Sequence, residues 1–472
     1  MKFSQHKSYV ASISNQMEEF FRLKKKVRIY HGSTNSTRAQ NFKEGEIIDV
    51  SHLNRVIHIN DKEQFALVEP NVPMDKLVDE TLHHQLIPPV VMEFPGITVG
   101  GGIQGGAGES SSFRWGGFHE ICEEYEIILG NGAVISASPE QNSDLFYGTA
   151  CSYGSLGIIS LAKMKLIPAK KFVHLRYHRV RSFQEAIDLI DRISKENIGY
   201  LDGIMFKRDL GVVMVGDLTN YSSLPVKTFR KARDEWFYLH AQKVAKNHDE
   251  WEELIPIRDY LFRYDRGAFW VGQYPFRGRL PFNRITRAIF NPLLNTRTMY
   301  GILHASEVSK NFVIQDISLP KETVRQFMDW VDKKLHIYPL WICPLKPGKN
   351  DRLSPAYIET DLVVNIGVWG KIPVNADFLK ANRRLEETAR KLGGRKVLYA
   401  HTYYSKEDFW EIYDSDWYER LRSSYNADLV FPDIYSKVRV SGKQSPAAPR
   451  KGIFHFLKFS TKLPIAKKSK AI

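Results

Sequence analysis

The period of the hydrophobic pattern changes several times along the chain. Between residues 27 and 70 apolar and polar positions alternate in the runs "VRIY", "EIIDVSHLNRVIHIN" and "FALVEPNV", with Gly, Ser, Asn and Asp between them. Such alternation, rich in β-branched residues, predicts half-buried strands joined by turns. "VPMDKLVDETLHHQL" shifts to helical spacing, with Met74, Leu77, Val78 and Leu82 on one face. Strand spacing returns in "ICEEYEIILGNGAVISAS", where Asn131-Gly132 is a hairpin signal. Farther on, residues 182–197 read as an amphipathic helix and "YLDGIMFKRDLGVVMVGDL" as a hairpin around Asp209-Leu210-Gly211.

"PKETVRQFMDWVDKKL" predicts a helix beginning at Pro320, and "FLKANRRLEETARKL" one that ends at Gly393-Gly394. "IYPLWICPL" and "DLVVNIGVWG" read as buried strands. "VLYAHTYY" reads as a strand with Tyr399, His401 and Tyr403 on one face. Ser405 with Asp408 opens a helix over "KEDFWEIYDSDWYERLRSSY". Residues 224–310 are rich in Arg and aromatic residues and only weakly periodic. The fold class is α+β. The expected divisions are a helical extension over 1–26, a first domain over 27–175, a second α+β domain over 176–438, and a tail over 439–472.

Composition narrows the function. With 43% hydrophobic and 25% charged residues in 472, the protein is an ordinary globular one of two or three domains. The net charge is +14, and the tail from 439 holds nine Lys or Arg and no acid. The excess is therefore local, which argues against a nucleic-acid-binding surface on the folded part. The tail is expected to be disordered and to meet an anionic membrane surface through "GIFHFLKF" and its lysines. No apolar run is long enough to span a bilayer, and the first residues lack a signal-peptide core. Three scattered cysteines predict no disulfide framework, so a cytoplasmic location, peripheral to a membrane, is expected. His83-His84 has no third ligand nearby in sequence, so no metal is expected.

The candidate chemistry is concentrated in three glycine-bearing turns, "HGSTNSTR", "TVGGGIQGGAGESSS" and "CSYGSLGII". Glycine is costly to order and is used where backbone must approach another molecule. Gly100, Gly102 and Gly105 give a G-x-G-x-x-G spacing, but a Ser-rich loop and a hairpin follow in place of a βαβ unit. A cradle for phosphates, without a Rossmann fold, is the expectation.

The stretch "FPGITVGGGIQGGAGESSSFRWG", with "CEEYEIILGNGAVI" and "NSDLFYGTACSYGSLGIISLAKMKLIP", resembles the FAD-binding domain of the vanillyl-alcohol-oxidase (PCMH) type. That resemblance implies two small subdomains holding FAD, followed by a substrate or cap domain. The residues it implies are Gly32, Ser33, Thr34, Asn35 and Ser36 of the first turn. In the long segment they are Thr98, Val99, Gly100, Gly101, Gly102, Ile103, Gln104, Gly105, Gly106, Ala107, Gly108, Glu109, Ser110 and Ser111. Gly154, Gly157 and Ile158 come from the third turn. His31 precedes Gly32, outside the usual attachment position, so FAD is expected to be non-covalent.

"KKFVHLRYHRV", "IPIRDYLFRYDRGAFW", "FVIQDISLP" and "VLYAHTYYSKEDFWEIYDSDWYERLRSSYNADLVFPDIYSKV" extend the likeness, which is to the delta(24)-sterol reductase family, over roughly 27–438. One departure is Phe113 in "ESSSF", where the family carries His. The likeness implies NADPH as reductant and a sterol or isoprenoid lipid as substrate, with a hydride and a proton added across an isolated C=C of its tail. Tyr399, His401, Tyr403 and Asp316 are the candidate proton donors. Lys346 and Arg258 are candidates for an anionic head group. The same cofactor domain would serve oxidation of a polyol, sugar or prenyl-linked alcohol.

Overall fold

The computed structural model describes residues 2–32, 42–43, 45–221, 223–276, 280–306, 312–372 and 377–440. Two antiparallel sheets organise the protein. The first has five strands in the order Val56–Asn60, Phe65–Val68, Ile158–Lys165, Cys122–Ile128, Val134–Ala137. Asn131-Gly132 turns the last two into a hairpin, with Gly132 at φ 86°. A parallel pair, Arg28–Tyr30 with Ile47–Asp49, lies outside this sheet.

The second sheet has eight strands and antiparallel neighbours throughout. Their order is Glu250–Pro256, Phe172–Val180, Leu210–Thr219, Tyr200–Lys207, Leu340–Leu345, Val363–Lys371, Phe312–Pro320, Arg395–Lys396. The edge strand Glu250–Pro256 has no alternating signal, because "EWEE" keeps its first three residues exposed. Period-2 geometry gives this sheet two distinct faces. Leu201, Val213, Ile342, Ile366 and Ile317 pack under three helices, Phe183–Ile193, Lys321–Lys334 and Phe378–Lys391. Tyr200, Trp341, Cys343, Trp369 and Ile314 face the other way, into a cluster with Phe94, Phe269, Trp270 and Tyr300.

Three local expectations need correction. The segment after Lys396 is not a strand but a turn over 398–400, so Tyr399, His401 and Tyr403 do not share a face. The helix opened by Ser405 stops at Ile412, and Asp414 caps a second one, Ser415–Ser424. The glycine run is a short helix, Val99–Gly105, capped by Thr98 and closed by Gly106 at φ 63°.

The C-terminal helices, placed with the second domain on sequence, pack back on the first. Phe409, Tyr418, Leu421, Ile434 and Val438 share one hydrophobic cluster with Val10, Ile13 and Met17 of the N-terminal helix Lys2–Arg22 and with Ile128 and Ile158. Arg422 fixes this return by donating to the carbonyls of Ser155 at 2.7 Å and Phe431 at 2.9 Å.

The N-terminal helix is anchored by charge as well. His6 is buried between Glu69 and Glu126, each 3.0 Å from a ring nitrogen, and Arg55 completes the group through Glu69. Burial opposes the imidazolium, but the two carboxylates overcome it and raise its pKa to about 9. A raised folded-state value means this contribution is whole below the ordinary value of 6.5 and is lost as pH rises through about 9. Tm therefore falls between those two pH values, and His6→Gln flattens the slope. A thermal-melt series against pH checks it, and an unchanged slope in the variant refutes it.

Candidate functional site

The glycine helix Val99–Gly105 lies where the two units meet. Its leading amides are already satisfied. Val99 donates to Val72 O, Gly100 to Pro70 O, Gly101 to Thr98 Oγ1 and Gly102 to Thr98 O. The amides of Val99 to Gly102 are thus taken up within the protein, because the segment caps itself as a helix. Val99 and Ile103 are core residues. What the helix offers instead is an open face. A Cβ on Gly102 would strike Met92 Sδ at 2.4 Å, whereas on Gly101 it would meet only Thr98 Oγ1 at 3.1 Å and on Gly105 only Tyr153 OH at 4.0 Å. Gly101 and Gly105 stand one turn apart on the same face, and their missing side chains leave that face of the helix bare.

The third turn is bonded onto this helix. Gln104 Oε1 accepts from Ser152 Oγ at 2.7 Å and from Gly154 N at 2.8 Å, while Cys151 N donates to Ile103 O and Tyr153 N to Gln104 O. Cys151, Tyr153 and Gly154 all have positive φ, which bends the backbone sharply around the helix end. Gly157 packs on Ile127, and Ile158 pairs with Ile128 in the sheet. Lys437, from the returning C-terminal helices, donates to Gly154 O at 3.1 Å. Of the first turn, Gly32 is left-handed at φ 69°, and a Cβ there would touch Tyr30 OH at 3.8 Å and Ser51 Cβ at 3.9 Å, while Ser33, Thr34, Asn35 and Ser36 lie outside the described residues. An extended dinucleotide fits these residues, since the bare face at Gly101 and Gly105 gives its phosphates a close approach to backbone that a side chain would block.

Beyond Gly106, the remaining residues of the segment attach it to the eight-stranded sheet. Ala107 O accepts from Phe118 N, and a Cβ on Gly108 would meet Leu345 Cδ2 at 2.8 Å. Leu201 N donates to Ser110 O, and Ser110 Oγ lies 3.2 Å from Tyr260 OH. Ser111 O accepts from the Trp115 amide. Glu109 is buried against Arg263 at 3.1 Å, and Arg263 also meets Asp202 at 2.9 Å. Tyr264 and Trp341 donate to the same Asp202 oxygen. Under the helix, His119 Nε2 and Asp351 Oδ2 are 2.7 Å apart, with Cys151 Sγ 3.9 Å from His119 Nδ1. Burial works against the charged imidazole there, but Cys151 and Asp351 hold its pKa well above the ordinary value. His119, Glu120 and Asp351 make the only group of metal-ligand spacing among the described residues, and His119 and Asp351 already satisfy one another.

Of the four candidate donors, two come together. Tyr399 donates its hydroxyl to Asp316 Oδ2 at 2.6 Å. Trp369 Nε1 and Asn365 Nδ2 donate to the same carboxylate, each at 3.3 Å. Burial raises the Asp316 pKa to about 6, against the pull of these three donors. Tyr399 is raised well above the usual phenol range by burial and by Asp316. The pair lies on the aromatic face of the sheet, close enough to Tyr300 and Glu93 to be coupled to them electrostatically.

His401 and Tyr403 do not join them. The His401 carbonyl accepts from Gln315 Nε2 at 3.2 Å and from Lys396 Nζ. Tyr403 packs on Phe378 in the helix-covered core, and its amide donates to Glu386. Lys396 and Glu386 form a fully buried ion pair there. Lys396→Ala strands that carboxylate and costs ~3–5 kcal/mol of stability. Urea denaturation checks this, and a loss below about 1 kcal/mol, the scale of an exposed pair, refutes it. Arg258 is engaged with Asp79 in a two-point contact at 2.5 and 2.8 Å. The Lys346 amide donates to Ser112 O.

Sequence reasoning missed Glu93. Burial raises its pKa to about 8, with Glu109 adding to the effect, so it holds a proton at neutral pH. A lone acid after the apolar run Val90-Val91-Met92 was the available signal. Tyr300 and Trp369, against Phe94 at 6.2 and 5.9 Å, had none.

Comparison with known proteins matches this arrangement. A family described as "FAD binding domain" matches residues 9–138. Cytokinin dehydrogenase 9 of Oryza sativa subsp. japonica is 32% identical over 140 residues, 29% of this protein and 27% of its own length. The delta(24)-sterol reductase of Arabidopsis thaliana is 28% identical over 442 residues, 86% of this protein and 78% of its own length. That of Mus musculus is 30% identical over 449 residues, 92% of this protein and 86% of its own length. The likeness therefore runs from the flavin-type domain through the aromatic face, the Asp316–Tyr399 pair and the returning helices. On that extent the protein belongs to the delta(24)-sterol reductase family of FAD-binding oxidoreductases of α+β, PCMH-type fold.

Proposed function

We propose that this protein reduces an isolated C=C double bond in the tail of a sterol or related isoprenoid lipid, with non-covalent FAD as hydride carrier and NADPH as reductant. The observation that carries the reading is the family likeness over 92% of the sequence, beyond what FAD binding alone requires. FAD, when bound, supplies the hydride chemistry. The open face at Gly101 and Gly105, the Gly32 turn and the turn through Gly154 would hold it. An isolated alkene has no oxygen to polarise, so the protein must deliver a proton to carbon. Tyr399 and Asp316 would deliver that proton as a pair: a protonated Asp316, anchored by Asn365 and Trp369, donates to the Tyr399 oxygen and frees the phenol proton for carbon, whereas the ionised carboxylate holds that proton in its own hydrogen bond. Phe94, Trp341 and Trp369 make the wall apolar, which suits a hydrocarbon tail and excludes water.

The test is anaerobic incubation of the purified protein with NADPH and a sterol bearing a double bond in its tail. The expected result is bleaching of the flavin and a product heavier by two hydrogens. Flavin reduction by an alcohol, with no such product, would overturn the reading in favour of an alcohol oxidase. The basic tail from 441 onward lies outside the described residues, and its contact with anionic lipid remains part of this proposal. Among the described residues no helix is long and apolar enough to cross a membrane.

A further inference from the structure

We infer that the short helix Arg284–Ile289 and the basic loop beside it form a docking face for the surface of an anionic phospholipid bilayer. Ile285 and Ile289 are 69% and 66% exposed, the most exposed large hydrophobic residues among those described. They are four residues apart, so they project from one side of the helix. The other side is held down. Arg287 is buried, with its guanidinium over the rings of Phe282 and Trp236, and Asn283 caps the helix through the amides of Ile285 and Thr286. The two isoleucines are thus presented outward by a fixed support.

Positive charge surrounds them. Arg284 Nε donates to Arg233 O at 3.1 Å, tying the helix to a loop on which Arg230, Lys231 and Arg233 are exposed. Of the two acids there, Asp234 turns back to accept from the Lys231 amide and Glu235 lies 3.8 Å from His240 Nδ1. Arg266 and Arg287 are buried and Arg297 pairs with Asp75, so among the described residues the exposed charge here is that of Arg284, Arg230, Lys231 and Arg233. An apolar tip with a basic surround complements the headgroup region of an anionic bilayer, where apolar side chains sink between headgroups and each nearby cation adds attraction. The face also leads to the site. After Asn291–Leu293 the backbone enters the helix Thr296–Ser306, whose Tyr300 packs on Phe94 in the aromatic wall. The inference rests on the reading that the substrate is a lipid, but its test does not use turnover.

The experiment is co-sedimentation of the full-length, FAD-loaded protein with vesicles of phosphatidylcholine alone or mixed with phosphatidylserine. The unaltered protein binds the mixed vesicles, and salt weakens that binding. The double variant Ile285→Asp/Ile289→Asp binds about tenfold less, because the apolar insertion is lost and negative charge is added. Its Tm and flavin content stay unchanged, since both side chains lie in solvent. Arg284→Glu shows a smaller loss in the same direction. Tyr221→Asp, at another exposed hydrophobic position, has no effect. Equal binding by the double variant and the unaltered protein overturns the inference. So does a loss of all binding on deleting residues 445–472 alone, which assigns docking to the tail. Absence of binding to anionic vesicles overturns it too. If vesicle binding follows the isoleucines but no sterol is reduced, the docking face stands and the substrate reading falls.

Discussion

Tyr399→Phe lowers sterol reduction by about 100-fold or more, the usual scale of removing a positioned proton donor, while NADPH still reduces the flavin. Phe keeps the ring against Trp369, so the cleft wall survives and only the hydroxyl is lost. Asp316→Asn separates holding the proton from delivering it. Its effect is read from the pH profile. An ionised Asp316 keeps the Tyr399 proton in its own hydrogen bond, and the Asp316 pKa is raised to about 6. Activity of the unaltered protein therefore falls as pH rises through about 6, and that limb disappears in Asp316→Asn. Stopped-flow flavin reduction and product formation, measured separately across pH, check both statements. A Tyr399→Phe protein with undiminished product formation, or a fall in activity through about pH 6 that persists in Asp316→Asn, would remove the pair from the mechanism.

Gly101→Val and Gly105→Val weaken FAD binding by about 30- to 100-fold, the equivalent of ~2–3 kcal/mol for forcing a side chain into a close contact. Neither substitution meets backbone or a packed core atom in the protein itself, so Tm measured without flavin changes little. Gly102→Val is the contrasting control. Its Cβ would strike Met92 and Phe118, so it loses folded protein in place of flavin alone. The ratio of flavin to protein absorbance after purification gives the first result, and thermal melts give the second. Fully yellow Gly101→Val and Gly105→Val proteins would mean that the open face of this helix is not the FAD cleft.

The two glycine predictions show where sequence reading reaches its limit. Glycine density located the segment, because glycine alone leaves the backbone uncovered for close approach. Density alone could not separate Gly102, which packs on Met92 inside the protein, from Gly101 and Gly105, which border open space. That distinction depends on which turn of a capped helix each residue occupies. Likewise Tyr399, His401 and Tyr403 have strand-like spacing in sequence. The turn over 398–400 sends Tyr399 to Asp316 and Tyr403 to the opposite core. Pairing of Arg395–Lys396 with Phe312–Pro320, distant in sequence, ends the strand before Tyr399.

The sequence by itself determined the elements whose cause is local: the Asn131-Gly132 hairpin, the Ser182 and Ser405 caps, and the long amphipathic helices. It also carried the family likeness, since the glycine turns and the C-terminal block are contiguous strings of residues. Only the tertiary structure decided which residues meet. The Asp316–Tyr399 bond, the Arg263 group with Glu109 and Asp202, and the return of Arg422 onto Ser155 join positions far apart in the sequence. Their physical reason is burial. A charge or hydroxyl withdrawn from water must find a partner, and packing of the two units, not spacing in sequence, determines which partner is near.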